Sequence, residues 1–500
     1  MANVEQTMDE HLSESLTDNL LLILEGLGNS DDVAIREIQI DLSADRCIQG
    51  AVVYMEGLSN LHAMIDSLLS CCASGEQQHF SSDELLEYCK NVVISTGTVH
   101  DLDGMEELFS ALLSGYSILL LEGCLRVLAI GTKELTARSV EEPNVQSVVR
   151  GPREGFTEVL RWNTSMLRRK IKDRHLWMES MQIGRITKTD VVIAYVKNIV
   201  SEEVLLEVKE RLANIDIDAI LESNYIEEQI KDKQLTSFPT VFNTERPDVI
   251  AAGLMEGRVA ILVDGTPFAL LVPALFTQFF QSSEDYYQPA DFSTLIRLLR
   301  FLSFGLALLT PSFYIAITTF HQEMLPTTLL YNLASQREGV PFPAFIEAIM
   351  MEVTFEILRE ASVRMPKTIG QSISIVGTLV IGQAAVEAGL VSAAMVIVVS
   401  ITAISNFVLP AFNLGITIRI IRFLLMMLAA SFGLFGIFLG IVALVVHMCG
   451  LSSFGVSYMS PLAPFHLSDQ KDTFFRFPLT KMFTRSKAFP QKNLVRQKRR

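Results

Sequence analysis

The stretch FLLMMLAASFGLFGIFLGIVALVV, residues 423–446, indicates the class of this protein. It contains no charged side chain, and it is long enough to cross the hydrocarbon core of a bilayer as one helix. Gly436 and Gly440 within it have the small-xxx-small spacing that is typical of close helix packing. The stretch therefore predicts an integral membrane protein.

Further apolar segments precede this stretch. Residues 301–320, FLSFGLALLTPSFYIAITTF, are uncharged, and Arg297 and Arg300 flank their start as expected for a cytoplasmic helix end. Residues 368–386, TIGQSISIVGTLVIGQAAV, form a more polar candidate, and residues 342–359 are amphipathic. Together these segments predict an α-helical transmembrane bundle.

The charge distribution gives the expected orientation. The chain has a formal net charge of −15, yet ten Lys or Arg and only two Asp lie between Phe465 and Arg500. A basic tail beside membrane helices suits anionic lipid on the cytoplasmic face. Of the four to six crossings that the segments allow, an even number is therefore favoured over five. The acidic remainder argues against a nucleic-acid partner. The N-terminus lacks the pattern of a signal peptide, so the first half of the chain is expected to stay cytoplasmic.

The first half of the chain contains an internal repeat. ALLSGYSILLLEGC, residues 111–124, matches GLMEGRVAILVDGT, residues 253–266. In each copy a helix end meets a glycine, an apolar strand follows, and an acidic residue with glycine makes a turn into a second strand. This pattern predicts two β-hairpins. Upstream, residues 51–69 and 191–211 each read as a strand followed by an amphipathic helix.

These matches predict an α/β N-terminal region of two related subdomains, although any two βα units share some resemblance. The predicted domains are an N-terminal helix or tail (1–30), α/β subdomain 1 (31–145), a charged helical linker (146–185), α/β subdomain 2 (186–290), a transmembrane helical domain (291–450) and a basic C-terminal tail (451–500).

The charged linker is predicted to make subunit contacts, with phosphate binding and a solvated helix face as alternatives. The candidate contact residues are Arg150, Pro152, Glu154, Arg168, Arg169, Glu245 and Arg246. The sequence contains no nucleotide-binding loop, hydrolase elbow or metalloprotease motif, and its cysteines lack metal-site spacing. An enzyme, a cofactor and a metal site are therefore not predicted.

Several long blocks resemble one known family, the GerA-type spore germinant receptor A subunits. The blocks are RGPREGF (150–156), FPTVFNTERPDVIAAGLMEGRVAILVDGTPFALLVPALF (238–276), FHQEMLPT (320–327), REGVPFP (337–343), FEILREASVRMP (355–366) and IGQSISIVGTLVIGQAAVEAGLVS (369–392). They occur in the family's order and span most of the chain from about residue 110 to about residue 425.

The resemblance implies a location and a task. It implies the inner membrane of bacterial spores, with the N-terminal region facing the spore core. It also implies a transporter-like B subunit and a lipoprotein C subunit as partners, and a homo-oligomeric channel with a pentamer as the expected assembly. Such complexes sense nutrients and trigger ion release and germination. Because nutrient recognition is ascribed mostly to the B subunit, the resemblance does not assign a ligand pocket to this chain.

The sequence supports a specific pore hypothesis. Ser372, Val376, Leu379 and Gln383 recur at helical spacing, so they share one face of the predicted helix at residues 368–386. In a ring of subunits this face would place polar rings around an apolar constriction that gates by dewetting. The alternative is an ordinary helix–helix seam in which Ser and Gln bridge neighbours.

Acidic residues just before this helix are candidates for a pore mouth that attracts cations. They are Glu347, Glu352 and Glu356, and the alternative is pairing with Arg359 and Arg364. At the level of the whole protein, two further readings remain. One is a non-conducting membrane scaffold that couples a nutrient-binding partner to ion release. The other is a secondary transporter, whose inverted membrane repeat is not visible in the sequence.

Overall fold

The computed structural model divides the chain into two compact units, which we call the α/β unit and the helical unit. The α/β unit comprises Met1–Lys231, Val241–Pro273 and Phe483–Arg500, and the helical unit comprises Asp232–Thr240 and Ala274–Met482. Within these, the structure describes residues 12–43, 46–60, 81–94, 98–133, 142–143, 146–232, 234–364 and 382–497.

The first subdomain of the α/β unit is built around a five-stranded antiparallel sheet with the order β1-β2-β4-β5-β3. Its elements are α1 (Leu16–Gly26), β1 (Val33–Ser43), β2 (Arg46–Met55), α2 (Ser82–Tyr88), β3 (Val99–Leu102), α3 (Met105–Leu113), β4 (Ser117–Leu121) and β5 (Val127–Ile130). Strand β4 is apolar from Ile118 to Leu121 because its side chains alternate between two cores. Ile118 and Leu120 pack on one face of the sheet, and Leu119 and Leu121 on the other.

The second subdomain repeats this arrangement. Its sheet has the order β6-β7-β9-β10-β8, which is the order of the first sheet, and all its pairings are antiparallel. The elements are α4 (Leu160–Lys170), β6 (Leu176–Ile183), β7 (Thr189–Val196), α5 (Glu202–Ala213), α6 (Ser223–Ile230), β8 (Phe242–Thr244), α7 (Pro247–Met255), β9 (Val259–Val263) and β10 (Ala269–Val272). Both predicted hairpins are present, as β4–β5 and β9–β10.

The acidic–Gly turns of these hairpins bind the helices α1 and α4, so the repeat includes these two helices as well as the hairpins. The carboxylate of Glu122 accepts a hydrogen bond from Leu16 N (2.7 Å) at the start of α1. The carboxylate of Asp264 accepts one from Leu160 N (3.0 Å) at the start of α4. Each acidic residue thus satisfies a free amide of the first helix in its own subdomain.

This equivalence corrects two predicted boundaries. Residues 1–30 were predicted as a helix or tail apart from the first subdomain, and residues 146–185 as a linker. Instead α1 and α4 are the first helices of the two subdomains, and β6 (Leu176–Ile183) is a strand of the second sheet. Because these helices and β6 each have a polar face, hydrophobic periodicity alone does not show that they belong to the two subdomains.

Within the described residues, the helical unit packs four helices around an apolar core, whose members include Ile315, Ala348, Met395 and Met426. Its elements are α8 (Ala290–Thr319), α9 (Thr327–Glu338), α10 (Ala344–Arg364), α11 (Gly382–Glu387), α12 (Ala393–Phe407), α13 (Phe412–Gly450) and the short strands β11 (Ser452–Ser453) and β12 (Val456–Ser457). Among the described residues, α8 and α13 are long and apolar enough to cross a membrane.

Helix α13 is a hairpin of two arms rather than one straight helix. Gly433 has φ 60° and ψ −141°, a conformation outside the helical region that glycine tolerates best. A Cβ added to Gly436 would lie 2.3 Å from the carbonyl oxygen of Leu428, and one added to Gly440 would lie 2.5 Å from Leu425 Cδ2. Residues 412–432 and 434–450 therefore pack against each other in opposite directions. The expectation of one crossing over residues 423–446 is wrong.

The predicted basic tail, residues 451–500, does not form one free segment. Strands β11 and β12 and the residues up to Met482 belong to the helical unit, whereas Phe483–Arg500 belongs to the α/β unit. There Arg485 Nε donates to Met255 O (2.7 Å), and Lys492 Nζ lies 2.7 Å from Glu202 Oε1. Arg485 and Lys492 thus have a carbonyl and an acidic partner within the chain itself.

Candidate functional site

An ion pair is buried at the middle of the helical unit. Glu352 on α10 and Arg422 on α13 are 1% and 2% exposed, and Arg422 Nη2 lies 2.7 Å from Glu352 Oε2. Arg422 lies midway along the first arm of α13, residues 412–432. Charged groups so far from helix ends are costly to bury unless they are paired, so they mark functional positions more often than anchoring ones.

A second layer of charges continues this pair toward the end of α10. Glu356 Oε2 accepts a hydrogen bond from Arg419 Nη1 (2.6 Å), and Glu356 Oε1 lies 3.6 Å from Arg422 Nη2. Arg359 places its guanidinium over the ring of Phe407, 5.4 Å from the centroid. These α10 side chains lie together because they recur at positions i, i+4 and i+7 of one helix.

The hydrogen bonding of this charge cluster is incomplete. Within the described residues, neither carboxylate oxygen of Glu352 makes a hydrogen bond, and Arg422 Nε has no partner. Two carboxylates also face three guanidinium groups, namely Glu352 and Glu356 against Arg359, Arg419 and Arg422. A buried polar network that is only partly satisfied is held less firmly than a complete one. The cluster is therefore a candidate for an element with two arrangements.

Glu347 forms a separate and better satisfied contact. It is fully buried, and its Oε1 accepts hydrogen bonds from both the backbone N and the hydroxyl of Ser392 (2.5 Å each). Ser392 is also the N-cap of α12. Glu347 thus joins α10 to the start of α12, where a negative charge is favoured by the helix dipole.

The structure describes one of the four predicted pore-lining residues. Gln383 is exposed on α11 and donates to Glu387 (2.8 Å). Ser372, Val376 and Leu379 lie outside the described residues, so the pore face stays a prediction. Of the predicted acidic residues, Glu347 accepts from Ser392, whereas Glu352 and Glu356 form ion pairs with Arg422 and Arg419. Their role at a pore mouth stays a prediction.

The predicted subunit contacts divide into buried and exposed residues. Arg168 donates to both carboxylate oxygens of Asp32 (2.7 and 2.9 Å), and Arg246 pairs with Asp248 (2.7 Å) and donates to the carbonyl of Pro152 (2.9 Å). Arg168, Arg246 and Glu245 are buried inside the α/β unit, so their side chains are not available to another subunit. Arg150, Glu154 and Arg169 are exposed, and Pro152 is partly exposed.

A further buried charge network was not predicted. Arg297 and Arg300 were expected to flank a helix at the membrane surface, but both are buried against Asp285 (3.1 and 2.8 Å). Arg297 also pairs with Asp472 (2.9 Å), whose carboxylate accepts from the hydroxyl of Tyr286 (2.8 Å). Burial and the adjacent carboxylate raise the pKa of Tyr286 above its usual range. The sequence alone does not indicate this network, because Arg297 and Asp472 lie far apart along the chain.

Among the described residues, no group of three or more His, Cys, Asp or Glu is placed to bind a metal ion.

The comparisons with known proteins identify the family. Residues 22–488 match the model of the Bacillus/Clostridium GerA spore germination proteins. The chain is 48% identical to spore germination protein KA of Bacillus subtilis (strain 168), over 97% of this chain and 89% of that protein. It is 45% identical to the uncharacterized membrane protein YfkQ of the same strain, over 98% of this chain and 94% of that protein. The chain therefore belongs to the GerA family of spore germination proteins, and the predicted family is confirmed.

The chain is also similar to a solved structure. It is the crystal structure of the N-terminal domain of the A subunit of the Bacillus megaterium spore germinant receptor GerK3. The two chains are 41% identical, with a TM-score of 0.43, over 53% of this chain and 97% of that one.

Proposed function

We propose that this chain is the membrane subunit of a nutrient-responsive germination receptor and that several copies form its ion channel. The family supports the role in germination. The observation that carries the channel is the Glu352–Arg422 pair between α10 and α13, since a helix that only anchors a protein in lipid needs no charge at its middle.

The proposed gate lies next to this pair along the chain. Helix α10 ends at Arg364, and residues 368–386 follow as the predicted pore-lining segment, with Val376 at its apolar constriction. A shift of α10 against the first arm of α13 would exchange the partners of Glu352 and Glu356 among the three arginines. Such a shift would move the start of the pore helix, and slight widening of an apolar constriction admits water and ions.

Both ends of the chain are proposed to lie on one side of the membrane. The support for this is that Phe483–Arg500 and the N-terminal subdomains belong to one compact unit, which requires an even number of crossings. In a spore this side would be the core, with the helical unit in the inner membrane. The proposed partners are anionic lipid, a transporter-like B subunit and a lipoprotein C subunit.

A non-conducting scaffold is the second candidate function. It is favoured by one observation, that Glu352 and Glu356 are paired with arginines and so offer no free carboxylate to a passing cation. In this case the α/β unit would dock partner proteins, and the helical unit would transmit their state to a separate channel.

Ion flux from the purified chain in liposomes separates the two functions. We expect Val376→Ala to raise cation flux above that of the wild type, because a smaller side chain widens and wets the constriction. Val446→Ala is the matched control, since Val446 is 67% exposed on α13. Equal flux from all three correctly folded proteins would overturn the assignment of the gate. If the chain also carries no flux with its partner subunits present, the scaffold is correct.

A further inference from the structure

In each subdomain, the residues that follow β2 or β7 form a β-bridge with another segment, and this segment differs between the two subdomains. In the first subdomain it is the chain that follows β5. Asn60 N donates to Thr132 O (2.8 Å), and Ser59 and Lys133 form an antiparallel bridge. The first subdomain thus closes with residues that directly follow its last strand.

The second subdomain cannot close in this way, because the chain passes into the helical unit after Pro273. The equivalent bridge joins Val200 to Gln491, near the C-terminus, and Lys492 N donates to Ile199 O (2.9 Å). The C-terminal segment therefore occupies the position that the chain following β5 occupies in the first subdomain.

Two equivalent glycines confirm the correspondence. Gly115 and Gly257 follow α3 and α7 with φ +86° and +85°. A Cβ on Gly115 would lie 3.1 Å from Leu58 O and 3.3 Å from Lys133 Cγ. On Gly257 it would lie 3.4 Å from Ile199 O and 3.2 Å from Gln491 Cβ. Gln491 thus stands where Lys133 stands in the first subdomain.

The C-terminal segment has the internal structure of a preformed loop. Arg485 N donates to Leu494 O, and Arg496 N donates to Phe483 O (2.9 Å each), which closes residues 483–496 on themselves. The side chains of this loop contact the second subdomain, where Arg485 Nε donates to Met255 O and Lys492 pairs with Glu202. Phe489 is buried under the guanidinium of Arg258 (5.4 Å), and Arg496 pairs with Glu256.

We propose that residues 483–497 are a detachable clasp, and that the edge of the second subdomain formed by residues 199–202 and 255–258 is its binding site. The site accepts a basic peptide by backbone pairing with residues 199–200, by burying the Phe489 ring under the guanidinium of Arg258 and by carboxylates for the basic side chains. The chain leaves for the helical unit at Pro273 and returns at Phe483. Movement of the helical unit would therefore pull directly on the clasp, a coupling that rests on the proposed function.

Peptide binding tests the site without reference to ion flux. The probe is a fluorescent synthetic peptide of residues 483–497, FTRSKAFPQKNLVRQ, added to the detergent-solubilised chain truncated after Met482. We expect binding to the truncated chain and at least about tenfold weaker binding to the full chain, whose site is occupied. Phe489→Ala in the peptide should weaken binding by about tenfold or more, because the variant loses the buried ring and its contact with the Arg258 guanidinium. Lys487→Ala, at an exposed position, is the control.

A second measurement applies where the truncated chain does not fold. In the full chain, Glu256→Arg should speed hydrogen exchange of the Lys492 amide by about tenfold or more, and adding Arg496→Glu should restore protection. Asp216→Arg removes an exposed ion pair elsewhere on the subdomain and should leave this amide unchanged. Equal peptide affinity for full and truncated chains, or unchanged exchange in Glu256→Arg, would overturn the clasp. Either result is independent of whether the chain conducts ions.

Discussion

The α/β unit and the helical unit both bury an arginine–carboxylate pair, but they satisfy it differently. In the α/β unit, Arg168 donates through two nitrogens to the two oxygens of Asp32. In the helical unit, Arg422 approaches one oxygen of Glu352, and within the described residues neither oxygen accepts a hydrogen bond. A bidentate pair fixes one geometry, whereas an incomplete one leaves capacity for exchange of partners. The first suits a rigid domain and the second suits a moving one.

The largest expected effect is the loss of Glu352. Glu352→Ala leaves Arg422 buried without its main carboxylate, which should destabilise the helical unit by about 3–5 kcal/mol. Thermal unfolding of the detergent-solubilised chain measures the loss. The double variant Glu352→Leu with Arg422→Leu should recover most of it, because no unpaired charge remains.

The matched control for this prediction is Glu360→Ala on the same helix, since Glu360 and Arg364 form an exposed pair. It should change stability by less than about 1 kcal/mol. A loss below about 1 kcal/mol for Glu352→Ala itself would show that Arg422 does not depend on this carboxylate.

The next effect concerns the reversal in α13. Gly433→Ala should destabilise the helical unit by about 2 kcal/mol, because its backbone conformation disfavours a Cβ and the added atom would lie 2.8 Å from His321 Cε1. Gly305→Ala on α8 is the control. Nothing lies within 4 Å of its added Cβ, so it should be neutral or stabilising by up to about 1 kcal/mol. If Gly433→Ala left the stability unchanged, the reversal between the two arms of α13 would not depend on the backbone conformation of this glycine.

These two regions also differ in how far the sequence predicts them. The hairpins of the α/β unit follow from short local patterns, an apolar strand and an acidic residue before glycine, and both occur as predicted. The roles of Glu122 and Asp264 as partners of α1 and α4 could not be predicted, because each bond joins residues more than a hundred positions apart. Local patterns do not report such contacts.

For the helical unit, the apolar segments of the sequence predict helices but not where a helix reverses direction or which helices pack together. The uncharged run at residues 423–446 looks continuous because a glycine inside a helix pattern carries no signal that distinguishes packing from reversal. Likewise, Glu352 and Glu356 share a face of α10 as predicted, yet their partners Arg419 and Arg422 lie on another helix. The sequence therefore predicted the acidic residues of the candidate site but not the arginines that pair with them.

A smaller loss of stability is expected when the bidentate pair of Arg168 and Asp32 in the α/β unit is altered. Arg168→Lys keeps the charge but replaces two directed hydrogen bonds to Asp32 with one, so we expect a loss of about 1–2 kcal/mol in urea unfolding of the full chain. Arg161→Lys is the control, because Arg161 is exposed and lies 3.4 Å from Glu56. Equal stability of the two variants would show that the geometry of the buried pair contributes nothing beyond its charge.

The smallest effect tests a carboxyl of the α/β unit that has no arginine partner in the described contacts. Glu227 on α6 accepts only a long hydrogen bond from Asn243 (3.3 Å), and burial raises its pKa from 4.5 to about 7. The folded state therefore keeps this proton more firmly than the unfolded state, and the free energy of unfolding should fall as pH rises from 4.5 to about 7. Because Glu227 is partly exposed, we expect a fall of only about 1 kcal/mol.

Glu227→Gln keeps the neutral form at every pH, so it should remove this part of the pH dependence and be the more stable protein above about pH 7. Urea unfolding of the wild type and the variant at about pH 5 and about pH 8 measures the difference. Glu228→Gln, at the exposed neighbouring position, should keep the slope of the wild type. If Glu227→Gln keeps it as well, the carboxyl is solvated in the folded state. Incomplete pairing of buried carboxyls would then distinguish the helical unit from the α/β unit, as the comparison of Glu352 with Asp32 indicates.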